Sequence, residues 1–341
     1  MYSLFYSVIY KTMMSGRVLI ILIFLLIGFS FAENITEKPF IKEHIHHTHE
    51  INLTNTAVYQ QIENYGAFYN ITNIFFTYHF SQKNHIFISM SIALGNGIVS
   101  HAQYLGFSVQ PTGANLEDYI ENINNTGRKH ITEVWYHYID SKLDLVAGII
   151  DSASFIDENE FANDENIQFL NNAFVNNPIA PMPSFNPGIY IKYSQKNIEY
   201  KFLYMENKPD KGNFSAFEFV YSKDSINIRP YVYNVFGKEK DSGFGLSVDY
   251  TNKDFGYFLR IGIPFYNQNS FFSLGIQQSN LSKYDSLGFA LGFLNKDKNI
   301  YISEVYYNRD LSNVFSITFD LQYMKEYKED FISGFRLYIS Y

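Results

Sequence analysis

From about residue 74 to its end, the chain repeats one pattern. Roughly ten residues alternate apolar and polar, and a turn rich in Asn, Asp, Lys, Ser and Gly follows. Successive strand side chains point to opposite faces, so each repeat gives a strand with one apolar and one polar face. Phe315, Ile317, Phe319, Leu321 and Tyr323 share a face, with Ser316, Thr318, Asp320 and Gln322 between them. In the last repeat Phe331, Phe335, Leu337, Ile339 and Tyr341 oppose Gly334, Arg336, Tyr338 and Ser340. Phe255, Tyr257, Leu259, Ile261 and Ile263 alternate with Gly256, Phe258, Arg260 and Gly262. A soluble sandwich also alternates, but with shorter strands and mostly Val, Ile and Leu on the buried face. Here 33 Phe and 29 Tyr recur at strand ends, the arrangement of interfacial aromatic girdles. A mean hydropathy of −0.16 fits strands that are apolar on one side only. The expected fold is therefore all-β, an antiparallel up-and-down transmembrane barrel.

The alternation predicts strands at 74–81, 85–96, 129–139, 143–151, 188–195, 197–206, 214–222, 225–236, 243–251, 254–265, 270–279, 286–295, 298–308, 313–324 and 330–341. That makes fifteen, and bacterial single-chain barrels have even numbers. A sixteenth is expected in 53–68, where Val58, Ile62, Gly66 and Phe68 alternate weakly. Sixteen strands place the tight turns Gln82-Lys83-Asn84, Ser141-Lys142, Gln195-Lys196-Asn197, Ser222-Lys223-Asp224 and Asn252-Lys253-Asp254 on one side of the membrane. The two long connections, 97–128 and 152–187, fall on the other side, as outer loops do. In the first, Asn115 is placed to cap a helix carrying Leu116, Tyr119, Ile120 and Ile123. In the second, Asp164 is placed to cap a turn or two carrying Ile167, Phe169, Leu170, Ala173 and Phe174. Apolar residues in loops of this length argue for packing, and both loops are expected to fold into the lumen.

Arg17, an apolar run from Val18 to Phe31 and then Ala32 read as a cleavable export signal over 1–32. Residues 33–52 read as a flexible His-rich tail, and 53–341 as the barrel. Beyond residue 32 no apolar stretch is long enough for a membrane helix. The chain has no cysteine, so disulfides and thiol chemistry are excluded. Its formal charge of −8 gives no sign of a nucleic-acid binder. A terminal strand ending in Tyr341 resembles the signal read by barrel-assembly machinery, an expected partner along with outer-membrane lipid.

The segment Leu143–Pro178 resembles the carbohydrate-selective porins of the OprB type. The residues that carry it are Gly148, Asp151, Phe155, Asn159, Phe161, Ala162, Gln168, Phe169, Leu170, Asn171, Ala173, Phe174 and Pro178. The hairpin Gly188–Tyr204 and the strand His130–Tyr138, with Glu133 and Trp135, are also similar. The resemblance is specific over roughly 60 residues and diffuse elsewhere. It implies a sixteen-stranded porin in the outer membrane of a Gram-negative-type bacterium, passing small sugars and ions by passive diffusion. A homo-oligomer, as in trimeric porins, stays open. This chain is shorter than typical members, so its loops are expected to be trimmed.

The polar face nominates the pore lining: Lys192, Glu199, Lys201, Glu218, Arg229, Asp249, Arg260, Asp320 and Arg336, with Glu133 and Trp135. A charge facing lipid would cost about 2–4 kcal/mol at the midplane. Charged groups and aromatic rings together could form a track for sugar hydroxyls and ring faces. Each charge could equally only solvate the wall, and Trp135 could equally sit in an interfacial belt. Asp157, Glu158, Glu160, Asp164 and Glu165 form the acidic part of the expected constriction loop, facing Arg229, Arg260 or Arg336 across the lumen. Their spacing is not that of an EF-hand, and a solvated loop is the plain alternative. The run His44, His46, His47 and His49 lacks the second half of a structural metal site, so no metal or cofactor is expected. No catalytic motif is present, and an enzyme is not expected. Two further readings stay open: a general, cation-leaning pore suggested by the acidity, and a barrel hydrolase using His79, His85 or His137.

Overall fold

A computed structural model describes residues 48–95, 97–98, 127–207, 212–237, 241–296 and 298–341. The expected export signal, His44, His46, His47 and the helix expected at Asn115 lie outside these residues. The alternating segments form sixteen strands: β1 (His49–Ile62), β2 (Tyr65–Ser81), β3 (Asn84–Leu94), β4 (Gly127–Ile139), β5 (Leu143–Ile150), β6 (Asn186–Gln195), β7 (Ile198–Glu206) and β8 (Asn213–Lys223). There follow β9 (Ile226–Phe236), β10 (Asp241–Asn252), β11 (Phe255–Pro264), β12 (Ser270–Ser279), β13 (Asp285–Asn295), β14 (Asn299–Ser312), β15 (Phe315–Lys325) and β16 (Glu329–Ser340). Each pairs antiparallel with its sequence neighbour, and β1 pairs with β16 to close the barrel. Closure leaves no unpaired edge, which is what lets strands cross a membrane. At the seam, Leu53 and Tyr341 exchange two backbone hydrogen bonds of 2.7 and 2.8 Å.

The outer face carries the aromatic rows. Tyr250 stacks on Tyr257 near the tight turns, with ring centroids 6.1 Å apart. At the opposite ends Phe293 meets Tyr301 at 5.2 Å, and Tyr323 meets Phe331 at 5.1 Å. Between these levels the exposed side chains are Leu259, Ile261, Leu274, Leu291, Val305 and Leu321, all wholly or partly open. Two aromatic belts around an aliphatic band are the outer surface of a membrane barrel.

The first hairpin corrects the sequence reading. The single strand expected at 53–68 is two: β1 ends at Ile62, turns through Glu63 and Asn64, and β2 begins at Tyr65. The strand expected at 74–81 is the second half of β2, and residues 49–52 of the expected tail belong to β1. Polar residues on the outer face hide the alternation here. Asn55 donates to Asn70 Oδ1 at 3.2 Å and to Thr72 Oγ1 at 2.8 Å, and Asn70 returns a bond to Asn55 at 3.1 Å. The strand count and the tight-turn side are as expected.

Candidate functional site

The second long connection, residues 151–185, turns into the barrel. Asp164 caps a turn, accepting the Asn166 N–H at 2.7 Å, as expected. The α-helix among the described residues, α1 (Asn172–Val175), is capped instead by Asn171, whose Oδ1 accepts the Ala173 N–H at 3.0 Å. Phe161, Ala162, Phe169, Ala173 and Phe174 pack onto Phe258, Phe271, Ala290, Leu294, Ile302 and Tyr306 of the inner wall. Phe169 lies edge-on to Tyr306 at 4.9 Å and 5.5 Å from Phe258. Burying such side chains stabilises by about 1.5–3 kcal/mol each. The contact is close enough to require glycine on the wall: a Cβ at Gly256 would lie 2.1 Å from the Phe161 ring, and one at Gly262 2.3 Å from Asn177 Oδ1.

The charged lumen residues hold this loop. Arg260 is fully buried; its Nε lies 2.9 Å from Asp157 Oδ2. It donates to the carbonyls of Ala162 at 3.0 Å, Phe174 at 2.5 Å and Asp157 at 2.8 Å. Burial pushes the Asp157 carboxyl above the ordinary range, while Arg260 and the Asn177 N–H pull it back. Asp157 N–H donates to Glu218 Oε2 at 2.9 Å, and Glu218 pairs with Lys201 at 3.1 Å. Lys201 also pairs with Glu158. Arg336 donates to the carbonyls of Glu165, at 2.5 Å, and Gln168, at 2.7 Å. Thr56 of β1 donates to Asn166 Oδ1 at 2.6 Å.

Of the three arginines expected opposite the acidic loop, Arg260 forms the ion pair, with Asp157. Arg229 pairs with Asp249 on the wall, and its charge also reaches Asp157. Arg336 binds loop carbonyls rather than loop carboxylates. Asp157 and Glu158 are in direct contact with cations, so they do not form one side of a field spanning open water. Glu160 is exposed, accepts from Thr251 at 3.2 Å and offers its N–H to Asp249 at 3.4 Å. Asp320 lies on the inner wall and accepts from Gln322 at 2.7 Å.

Several residues of this junction were missed from sequence. Glu304 accepts the N–H groups of Leu170 at 2.5 Å and Asn171 at 2.9 Å. Asn171 donates to Gln322 at 3.0 Å, Asn177 to Tyr231 at 2.9 Å and Asn159 to Ser247 at 3.0 Å. Glu304 alternates with Ile302 and Tyr306, so the period alone could have nominated it.

Strands β2–β5 present a different inner face. Trp135 lies there and not in an interfacial belt: it pairs in register with Phe87 and stacks on it at 4.5 Å and 21°. Its indole N–H donates to Glu133 at 3.0 Å. Phe75, Thr77, His79, His85, Phe87, Glu133, Trp135 and His137 are all half-buried. Lys192 and Glu199 continue this face, half-buried and 4.0 Å apart.

A closed sixteen-stranded antiparallel barrel with an apolar, belted exterior and a long loop folded against its inner wall is a porin-type transmembrane barrel. Its fold is that of Pseudomonas putida OprB in a high-pH structure, with a TM-score of 0.68 at 12% identity, covering 86% of this chain and 94% of that one. A multiply substituted mutant of the Rh. blastica porin matches at a TM-score of 0.56 and 9% identity, covering 86% of this chain and all of that one. No family model matches the chain. In sequence it is 33% identical over 303 residues to an uncharacterized protein of Aquifex aeolicus, covering 88% of this chain and 97% of that protein. The chain belongs to the same family as that protein.

Proposed function

We propose that this protein is an outer-membrane channel for the passive diffusion of small hydrophilic solutes, carbohydrates among them, exported by a signal at 1–32. The observation that carries the reading is the division of the inner wall. Residues 151–185 cover the wall on β5–β16 and reach β2 and β3 through Phe185, which packs on Tyr69, Ile71 and Ala93, and a half-buried polar and aromatic face remains on the tight-turn half of β2–β5. A stacked Phe87–Trp135 pair beside Glu133 offers ring faces and an acceptor to a sugar. The likeness in fold to P. putida OprB supports the same reading. The net acidity of the chain favours a second reading, a cation-leaning pore without sugar preference. Purified protein in planar bilayers separates the two. Steady conductance reduced by sugars on either side is the expected result. Conductance that prefers cations and ignores sugars selects the second reading, and a folded barrel with no conductance refutes both.

A further inference from the structure

Seven consecutive strands each place one titratable side chain on the inner wall near the tight-turn mouth. From β1 to β7 these are Glu50, His79, His85, His137, Asp144, Lys192 and Glu199. The register makes them neighbours: His79 lies opposite His85, His85 opposite His137, and Asp144 opposite Lys192. His79 Nε2 is shut off from water, makes no hydrogen bond and lies 3.5 Å from Glu50 Oε1. The rings of His79 and His85 are 5.1 Å apart. His85 Nε2 and His137 Nδ1 are 2.9 Å apart, and His137 Nε2 lies 2.5 Å from Asp144 Oδ1. Asp144 Oδ2 is 3.2 Å from Lys192 Nζ, which is 4.0 Å from Glu199 Oε1. The contacts run in a line across the strands and do not converge on a point; among the described residues no cluster suits a metal ion.

The chain of partners assigns the protons. With both imidazoles neutral, His137 donates through Nε2 to Asp144, and its Nδ1 accepts from His85 Nε2. A further proton makes His137 a donor on both sides, with His85 turned acceptor. Imidazole is the side chain whose ordinary titration falls between pH 5 and 8. Three carboxylates against one ammonium leave the line with two net negative charges while the imidazoles are neutral. Two added protons, one on His79 and one on the His85–His137 pair, whose 2.9 Å contact holds a single hydrogen, bring the line to zero net charge. Glu133, a half-buried carboxyl that accepts from Trp135, faces it as a further titratable group, while Lys201 is paired with Glu158 and Glu218, and Lys83 with Asp140 at the turn. Rings of charge at a pore mouth set ionic selectivity, and their reach is about 10 Å at 0.1 M salt.

We propose that this histidine-carboxylate line is the charge selector of the pore, favouring cations when its imidazoles are neutral and losing that preference when they are protonated. The proposal rests on the channel reading above. Its first test is the reversal potential of the full-length protein in a potassium chloride gradient, at about pH 7.5 and about pH 5. The potassium-to-chloride permeability ratio is expected to fall by at least about threefold on acidification. In a triple variant, His79→Gln, His85→Gln and His137→Gln, the ratio should stay near its neutral-pH value. A wild-type ratio that ignores pH, or a triple variant that shifts as far as wild type, overturns the selector and leaves the channel standing.

A second readout needs no conductance. Trp135 is the sole tryptophan, and its ring lies 5.9 Å from His85 and 5.7 Å from His137. A protonated imidazole quenches a nearby indole. Emission from the detergent-folded barrel should fall between about pH 7.5 and about pH 5, and His85→Gln with His137→Gln should remove the fall. Flat wild-type emission overturns the titrating line. A titrating Trp135 in a barrel that never conducts instead refutes the channel reading, and the selector with it.

Discussion

The inner wall on β7–β16 and the inner wall on β2–β5 follow the same alternation but have different fates. Beneath residues 151–185 the wall charges have become fasteners, with Arg260, Arg336, Glu218 and Glu304 spent on backbone groups and carboxylates of the loop. On the tight-turn half of β2–β5, His79, His85 and His137 contact one another across strands and stay half-buried, while Phe185 of the loop packs on Tyr69, Ile71 and Ala93 towards the other end. The difference teaches that facing the lumen does not by itself make a residue part of the permeation path. A second layer of chain decides whether a wall charge binds protein or meets solute.

Removing that second layer should erase the contrast. Deletion of Ser154–Pro183 should raise single-channel conductance and weaken any sugar block, in a barrel shown to be folded by its heat-modifiable mobility. Unchanged conductance would place the constriction elsewhere, with the 97–128 connection the next candidate. Arg260→Met should detach the loop without removing it. It leaves the Asp157 carboxylate without its counter-charge and three carbonyls without their donor, and breaking one side of a buried pair costs about 3–5 kcal/mol. Faster proteolysis within 151–185 and noisier current are the expected signs, and adding Asp157→Asn should restore part of the protection. Equal protease resistance in Arg260→Met would mean that apolar packing alone seats the loop. Gly256→Val tests that packing, since its Cβ would meet the Phe161 ring. Overpacking of this kind costs about 1–3 kcal/mol, and Phe161→Ala should offset it in the same proteolysis assay. The smallest effect should come from deleting Tyr341, which lies outside both wall regions. It removes two seam hydrogen bonds worth about 1–3 kcal/mol together, so folded barrel in the membrane should decline while export stays intact. Equal levels of heat-modifiable barrel would show that Tyr341 is not needed for assembly.

Much of this was legible because period-two alternation survives wherever one face meets lipid. It gave the later strands, the tight-turn side, the inward apolar loop residues and the lumen placement of Arg260 and Arg336. It failed at β1 and β2, where Asn55, Asn70 and Thr72 put mutually bonded polar groups on the outer face. His79, His85 and His137 could be named from sequence, but not their alignment. His85 and His137 stand far apart in sequence, and only the β3–β4 register, set across the long connection 97–128, brings them face to face. Three arginines stayed open as partners of the acidic loop because alternation gives the face of a residue and not which neighbour it takes; the β9–β10 register sets Asp249 diagonally beside Arg229.

The loop in the middle of the chain grips both ends of the barrel. Thr56 on the first strand holds Asn166, and Arg336 on the last strand holds Glu165 and Gln168, while those two strands are paired with each other. The grip exists only when the chain's beginning and end are already side by side. During insertion into the membrane it therefore cannot form until the final strand has arrived. From then on, prising the first and last strands apart means tearing the loop from one of them as well. The same segment that narrows the interior thus acts as an inner clasp on the one junction that no hairpin turn connects.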